Sequence, residues 1–168
     1  MRSHPTLTWQ LQGKATRGGF QTGELLTNDA PGVMQRFQTM LSERLMGLLS
    51  DEENGKPTWG LTAWAVSLNT GGYQEPHVHQ AGIVSGVYYV QLPEPEARLD
   101  AGALRFPRQL SWLPRPQGVR TLNPYLVLPQ PGMLVVFPSY FWHETVPFDA
   151  NRERVSIAFD VLPPAATE

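Results

Sequence analysis

Three of the four histidines in this chain stand where they can share one ligand. His77 and His79 lie two residues apart in Glu75-Pro-His-Val-His-Gln80, just ahead of a run rich in β-branched residues. His143 closes the segment Phe137-Pro-Ser-Tyr-Phe-Trp-His143. In an extended chain, side chains at i and i+2 leave from the same face, so His77 and His79 can direct two imidazoles at one point. A third nitrogen from a distant strand then completes a facial set on an octahedral metal and leaves positions open for other ligands. His143 is the candidate third ligand. A His-x-His pair alone is a weak signal, because surface loops carry such pairs by chance.

The surroundings strengthen it. Pro131 to Ser139 reads as a turn, a buried strand and a strand-ending Pro-Ser just ahead of His143. Further on, Arg154 and Ser156 share one face of a β-run whose other face carries Val155, Ile157 and Phe159. An arginine in such a run is partly buried, and a buried cation requires an anionic partner. One candidate partner is internal, Asp160 or Glu144. The other is a substrate carboxylate, clamped by the guanidinium with a further hydrogen bond from the Ser156 hydroxyl.

Composition narrows the chemistry. Zero cysteines remove disulfides, thiolate zinc sites, iron–sulfur clusters and cysteine nucleophiles, so any metal sits on His, Asp or Glu. Thirteen Lys and Arg against fifteen Asp and Glu give a formal net charge of -2, which offers no basic field for nucleic acid. No run approaches a membrane span of about 18 to 20 apolar residues, and Met1 to Gln10 lacks the basic-then-apolar pattern of a secretory signal. A soluble, cytoplasmic protein is the expectation, with no membrane partner.

The elements that must position these residues follow from periodicity. With 168 residues, one domain spanning 1–168 is expected. Sixteen Pro, fifteen Gly and many aromatic residues suggest short strands joined by turns. An edge strand around Leu7 to Leu11 and a Gly18–Gly19 break come first. Asn28 or Asp29 ahead of Pro31 signals a helix start, and Met34, Phe37, Leu41, Leu45 and Leu48 form its apolar stripe to about Leu49. N-terminal strand and helix thus occupy about 5–50. The period changes to two from Trp59, with a turn at Gly71–Gly72 and strands at Val84 to Val90, Leu126 to Leu128, Met133 to Phe137 and Val155 to Val161. Pro93 to Gly118 is too rich in proline for a central strand and reads as a long loop, with a short strand at Ala103 to Phe106. The prediction is a mainly β sandwich or open barrel over about 58–161, with the N-terminal helix packed outside it.

His77-x-His79, Ser85-Gly-Val-Tyr-Tyr-Val90, Gly132-Met-Leu-Val-Val-Phe-Pro-Ser139, His143 and Arg154-Val-Ser156 resemble the iron(II)- and 2-oxoglutarate-dependent oxygenases, in particular a bacterial and phage group, over about Trp59 to Phe159. The resemblance implies a double-stranded β-helix, the cupin-like jelly roll. By position it implies Fe(II) held by His77 and His143, and 2-oxoglutarate bound through Arg154 and Ser156. It also implies an enzyme, a dioxygenase that takes O₂, converts 2-oxoglutarate to succinate and hydroxylates a small molecule or a protein side chain. No catalytic residue beyond the metal ligands is assigned.

His79 departs from the pattern, since the wider superfamily has a carboxylate in that slot. A neutral imidazole there leaves the centre one unit more positive. Glu75, two residues before His77, is a substitute ranked below His79 because Pro76 bends the chain, and Glu144 ranks lower still. Either Tyr88 or Tyr89 can donate its hydroxyl to 2-oxoglutarate, since the two face opposite sides of their strand. Ser85 can reach the cosubstrate or satisfy a backbone group. Tyr140 and Trp142 can line a substrate pocket, and arginines of the Pro93–Gly118 span (Arg98, Arg105, Arg108, Arg115) and Arg120 can favour an acidic substrate. Two alternatives compete: a cupin-type three-His dioxygenase or isomerase, and a non-catalytic jelly-roll binding module. The cupin pattern wants a carboxylate shortly after His79, and residues 80–84 contain none.

Overall fold

The alternation beginning near Trp59 builds the longest strand of the molecule. In the computed structural model, which describes residues 4–49, 52–53, 56–94, 98–107 and 123–164, the chain opens with β1 (Thr8–Trp9), β2 (Thr16–Gln21) and the helix α1 (Gly32–Leu49). Two short strands, β3 (Glu52–Glu53) and β4 (Lys56–Pro57), precede β5 (Gly60–Gln74) and β6 (Val84–Gln91). Then come β7 (Leu104–Phe106), β8 (Tyr125–Val127), β9 (Leu134–Pro138), β10 (Glu144–Thr145) and β11 (Arg154–Leu162).

Six strands in the order β1-β2-β5-β11-β6-β9 form the main sheet, and β10-β7-β8 form a smaller one. Neighbouring strands of both sheets run antiparallel. One face of the main sheet packs on α1 through Leu41, Leu45, Trp59, Ala63, Phe159 and Val161. Its other face, carrying Trp64, Val66, Tyr89, Arg154 and Ser156, shares a cavity with Leu104 of β7 and Thr145 of β10. This is the jelly-roll arrangement: the period-two alternation of β5 and β11 sends one set of side chains to the helix and the next to the cavity.

Four local expectations change. Gly71 and Gly72 do not turn the chain; they lie inside β5, where β2 crosses it closely. A Cβ on Gly72 would sit 2.6 Å from the Gly18 carbonyl oxygen, and Gly18 itself has φ +62°. The Gly18–Gly19 pair is likewise a register shift within β2, between Arg17 and Gly19, rather than a break. At the helix start the Pro31 carbonyl accepts from Met34 and Gln35. The Asp29 carboxyl instead takes a hydrogen bond from Thr27, which holds its pKa below the ordinary carboxylate range. In the last turn Leu49 joins the core while Leu48 is 64% exposed, because i+4 from Leu45 continues the buried stripe and i+3 rotates off it. No helix among the described residues is long and apolar enough to cross a membrane.

Candidate metal centre

His77 and His79 stand outside regular strands, in the connection from β5 to β6. What makes them converge is a backbone bridge: the His77 N–H donates to the His143 carbonyl and the His143 N–H to the His77 carbonyl, both at 3.0 Å. The His79 N–H donates to the Ser139 carbonyl at 3.0 Å, tying the connection to the end of β9. The three imidazoles meet with ring centroids 4.2 to 5.2 Å apart, and one nitrogen from each lies within 4.8 Å of the others. Among the described residues no carboxylate belongs to this group.

Each ring is fixed through its other nitrogen. His77 Nδ1 lies 2.6 Å from the Glu75 carbonyl and His143 Nδ1 lies 2.9 Å from the Phe141 carbonyl. A carbonyl only accepts, so both Nδ1 atoms carry the proton and both Nε2 lone pairs are left for the shared point. Burial lowers the pKa of His77 to about 4 and that of His143 to about 3, with His77 beside His143 lowering the latter further. Both rings are therefore neutral at pH 7, the state a metal requires. His79 Nδ1 meets Asp160 Oδ1 at 2.5 Å.

The carboxylates weighed from the sequence are engaged elsewhere. Glu75 forms an ion pair with Arg17 at 2.6 Å, and Glu144 one with Arg105 at 2.6 Å. Ser85 donates to Asp160 Oδ1 at 2.6 Å and lies 2.7 Å from Ser139 Oγ. It thus braces a side chain rather than a backbone group.

Arg154 lines the same cavity as the three histidines. It is 2% exposed, and burial lowers its pKa. Its Nε donates to the Gly102 carbonyl at 3.2 Å and Nη1 to Ser156 Oγ at 3.4 Å. The guanidinium carbon sits 4.9 Å from the Tyr89 ring centroid. Neither Asp160 nor Glu144 pairs with it, since each is already held, and among the described residues no carboxylate does. The Tyr89 hydroxyl, fully buried in the same cavity, makes no well-formed hydrogen bond among the described residues; burial raises its pKa, and the neighbouring Arg154 guanidinium partly opposes the rise. A buried cation, a hydroxyl and a buried phenol make an incomplete set that an anion would satisfy. Tyr88 points the other way, onto Phe37 of α1 with ring centroids 5.5 Å apart.

The remaining residues divide. Trp64 packs 5.5 Å from the His79 ring, and with Gln21, Gln74 and Gln80 it lines a polar recess that reaches His77 and His79. Tyr140 and Trp142 line a separate apolar cleft with Phe106, Tyr125 and Phe141, which shares Phe137 with the lining of the metal cavity. Arg98 is bound to Asp100 and Arg105 to Glu144, while Arg108, Arg115 and Arg120 lie outside the described residues, as do 95–97 and the whole of the proline-rich span from 108 on. Two contributors escaped the sequence. Asp160 shares a strand face with Arg154 and Ser156 by period two, a signal that was present but was read only as a possible ion partner. The Gly102 carbonyl gave no signal at all.

A family model described as "Putative 2OG-Fe(II) oxygenase" matches residues 62–160, which include all three histidines, Arg154, Ser156 and Asp160. No curated protein matches the chain. Among solved structures it is similar to a prolyl-4-hydroxylase from Pseudomonas putida, with 25% identity and TM-score 0.60 over 95% of this chain and 78% of that one. It is also similar in fold to a Trichoplax adhaerens prolyl hydroxylase in complex with a hypoxia inducible factor peptide fragment (15% identity, TM-score 0.64, 94% and 71% covered). HygX from Streptomyces hygroscopicus, with nickel and 2-oxoglutarate bound, is another fold relative (15% identity, TM-score 0.60, 91% and 73% covered).

Proposed function

The chain belongs to the 2OG-Fe(II) oxygenases, and on that premise we propose that His77, His79 and His143 hold its iron and that Arg154, Ser156 and Tyr89 receive the distal carboxylate of 2-oxoglutarate. The observation that carries this assignment is the fully buried Arg154 guanidinium, opening, with no carboxylate partner among the described residues, into the cavity of the three imidazoles. Iron and 2-oxoglutarate bound there would supply, with O₂ as the oxidant, the decarboxylation to succinate and CO₂ that is coupled to hydroxylation of a substrate C–H bond.

The residues of this chain do the holding. The Glu75 and Phe141 carbonyls fix the tautomers of His77 and His143, so no proton has to move before a metal enters. Arg154 can form a charge-assisted pair with an incoming carboxylate, and Tyr89 and Ser156 add hydroxyl donors. The desolvation cost of burying the arginine was met during folding, which favours the anion over water in the cavity. The same anion cradle, together with the lack of a carboxylate in residues 80–84, favours an oxoglutarate enzyme over a cupin-type three-His dioxygenase. The polar recess at Gln21, Trp64 and Gln74 supports a substrate approach to the metal from that side.

The test is an anaerobic titration of untagged protein with Fe(II) and then 2-oxoglutarate, following the weak visible charge-transfer band of the chelate. The band should appear with one equivalent of each in the native chain and require far more 2-oxoglutarate in Arg154→Ala. A native chain that binds iron but never develops the band would refute the assignment.

A further inference from the structure

Where the wider superfamily places a carboxylate on the metal, this chain has His79, and behind His79 it has a buried carboxylate. We propose that Asp160 is the positioning residue of this centre, fixing the tautomer of His79 and supplying through it the negative charge that a ligating carboxylate would otherwise bring. The inference rests on the ligand set proposed above.

Counting protons fixes the arrangement. His79 Nδ1 lies 2.5 Å from Asp160 Oδ1 and 3.1 Å from Ser85 Oγ. Ser85 has a single hydroxyl proton, and it donates to Asp160 Oδ1 at 2.6 Å. Ser139 therefore donates to Ser85 across their 2.7 Å contact. With the Ser85 proton committed, nothing is left to donate to His79 Nδ1, so the imidazole carries its proton there and gives it to the carboxylate. Its Nε2 lone pair then faces His77 and His143. The side chains of His79 and Asp160 are each 10% exposed, so water competes little for either.

The fold builds this relay. The registers of the main sheet set Asp160 of β11 opposite Ser85 of β6, and Ser85 opposite Phe137 of β9, with Ser139 just past the strand end. Gly82 seals it, since a Cβ there would stand 2.6 Å from Ser139 Oγ and 3.3 Å from Asp160 Cβ. His77 and His143 lean on neutral carbonyls, so only His79 has a charged partner. A carboxylate hydrogen-bonded to a ligating imidazole raises its basicity and orients it. Three imidazoles plus this carboxylate carry the same total charge as two imidazoles and a ligating carboxylate, with the charge one bond network further out.

The experiment measures Co(II) and Fe(II) dissociation constants anaerobically, with no turnover involved. Asp160→Asn keeps the shape and an acceptor but loses the charge, and should weaken metal binding about 10-fold; Asp160→Ala should weaken it 10- to 100-fold. His79→Asp should itself bind poorly, because it sets two buried carboxylates against each other. In the His79→Asp background Asp160→Asn should strengthen metal binding, a reversal of sign that a residue needed only for folding cannot give. Nitrogen-15 spectra of the Zn(II)-loaded protein should show His79 protonated at Nδ1. If Asp160→Asn leaves affinity within twofold in both backgrounds while His79→Ala loses metal, the role of Asp160 is overturned and the ligand set stands. If His79→Ala retains metal, the ligand set fails and the inference fails with it.

Discussion

His77 and His143 exchange both of their backbone hydrogen bonds, at 3.0 Å each, in a single antiparallel bridge outside any regular strand. The convergence of their rings, with centroids 4.2 Å apart, is thus set by main-chain pairing and not by the side chains themselves. Rings held by main-chain pairing do not depend on one another's side chains, so variants that remove one ring should leave its neighbours in place.

His143→Ala should accordingly abolish stoichiometric iron while the chain still folds. The ring is 6% exposed and packs against Phe137 with centroids 4.6 Å apart, so its loss should cost about 1 to 2 kcal/mol. Metal analysis paired with urea unfolding checks both statements, and full iron retention would remove His143 from the site.

Glu75→Ala and His79→Ala should separate cleanly. Glu75 spends its carboxylate on Arg17, and it is the Glu75 carbonyl, which alanine keeps, that holds His77. Glu75→Ala should therefore keep one iron per chain, and His79→Ala should not. The opposite pattern would make Glu75 the ligand.

Arg154→Ala should cost about 2 to 5 kcal/mol in 2-oxoglutarate binding, roughly thirtyfold or more in dissociation constant, with iron affinity unchanged. Arg154→Lys should fall between, because an ammonium keeps the charge but not the two-pronged geometry. Calorimetric titration of the cosubstrate into metal-loaded protein reads this, and equal affinities would leave the arginine a purely structural role.

Tyr89→Phe should move two quantities in opposite directions. The hydroxyl is buried and makes no well-formed hydrogen bond among the described residues, so deleting it should stabilise the cosubstrate-free protein by about 1 kcal/mol. If the same hydroxyl donates to 2-oxoglutarate, affinity should drop about fivefold. A variant that is less stable and binds unchanged would contradict both halves.

The metal-free protein should lose stability in mild acid. Folding lowers His77 to about 4 and His143 to about 3, against 6.5 for the exposed side chain. The unfolded chain then binds more protons, so stability rises with pH; their contribution is complete above about pH 6.5 and is lost as pH falls toward 4. Denaturant midpoints should drop by the equivalent of about 2 kcal/mol per histidine between pH 7 and 5. Bound Zn(II) should oppose the drop, since metal and proton compete for the same nitrogens.

Periodicity alone determined much of this molecule. Residue spacing placed α1, the alternating faces of β5 and β11, and the strand positions of Arg154 and Ser156, because side-chain direction along one element depends only on local geometry. The histidine triad was legible for the same reason: an i, i+2 pair shares a face wherever the chain is extended, even outside a strand. Absent cysteine limited the ligands. What local geometry does not carry is which two faces meet. Tyr88 and Tyr89 alternate, but only the packing of Phe37 on Tyr88 shows that Tyr89 turns into the cavity beside Arg154. Gly71 and Gly72 look like a turn until β2 crosses Gly72 closely enough to exclude a Cβ there. Asp160 had the right face and the wrong partner, since its pairing with His79 depends on the β11–β6 register and on Ser139 at the end of β9. Those contacts join segments far apart in the chain, and tertiary packing, which sequence spacing does not encode, decided them.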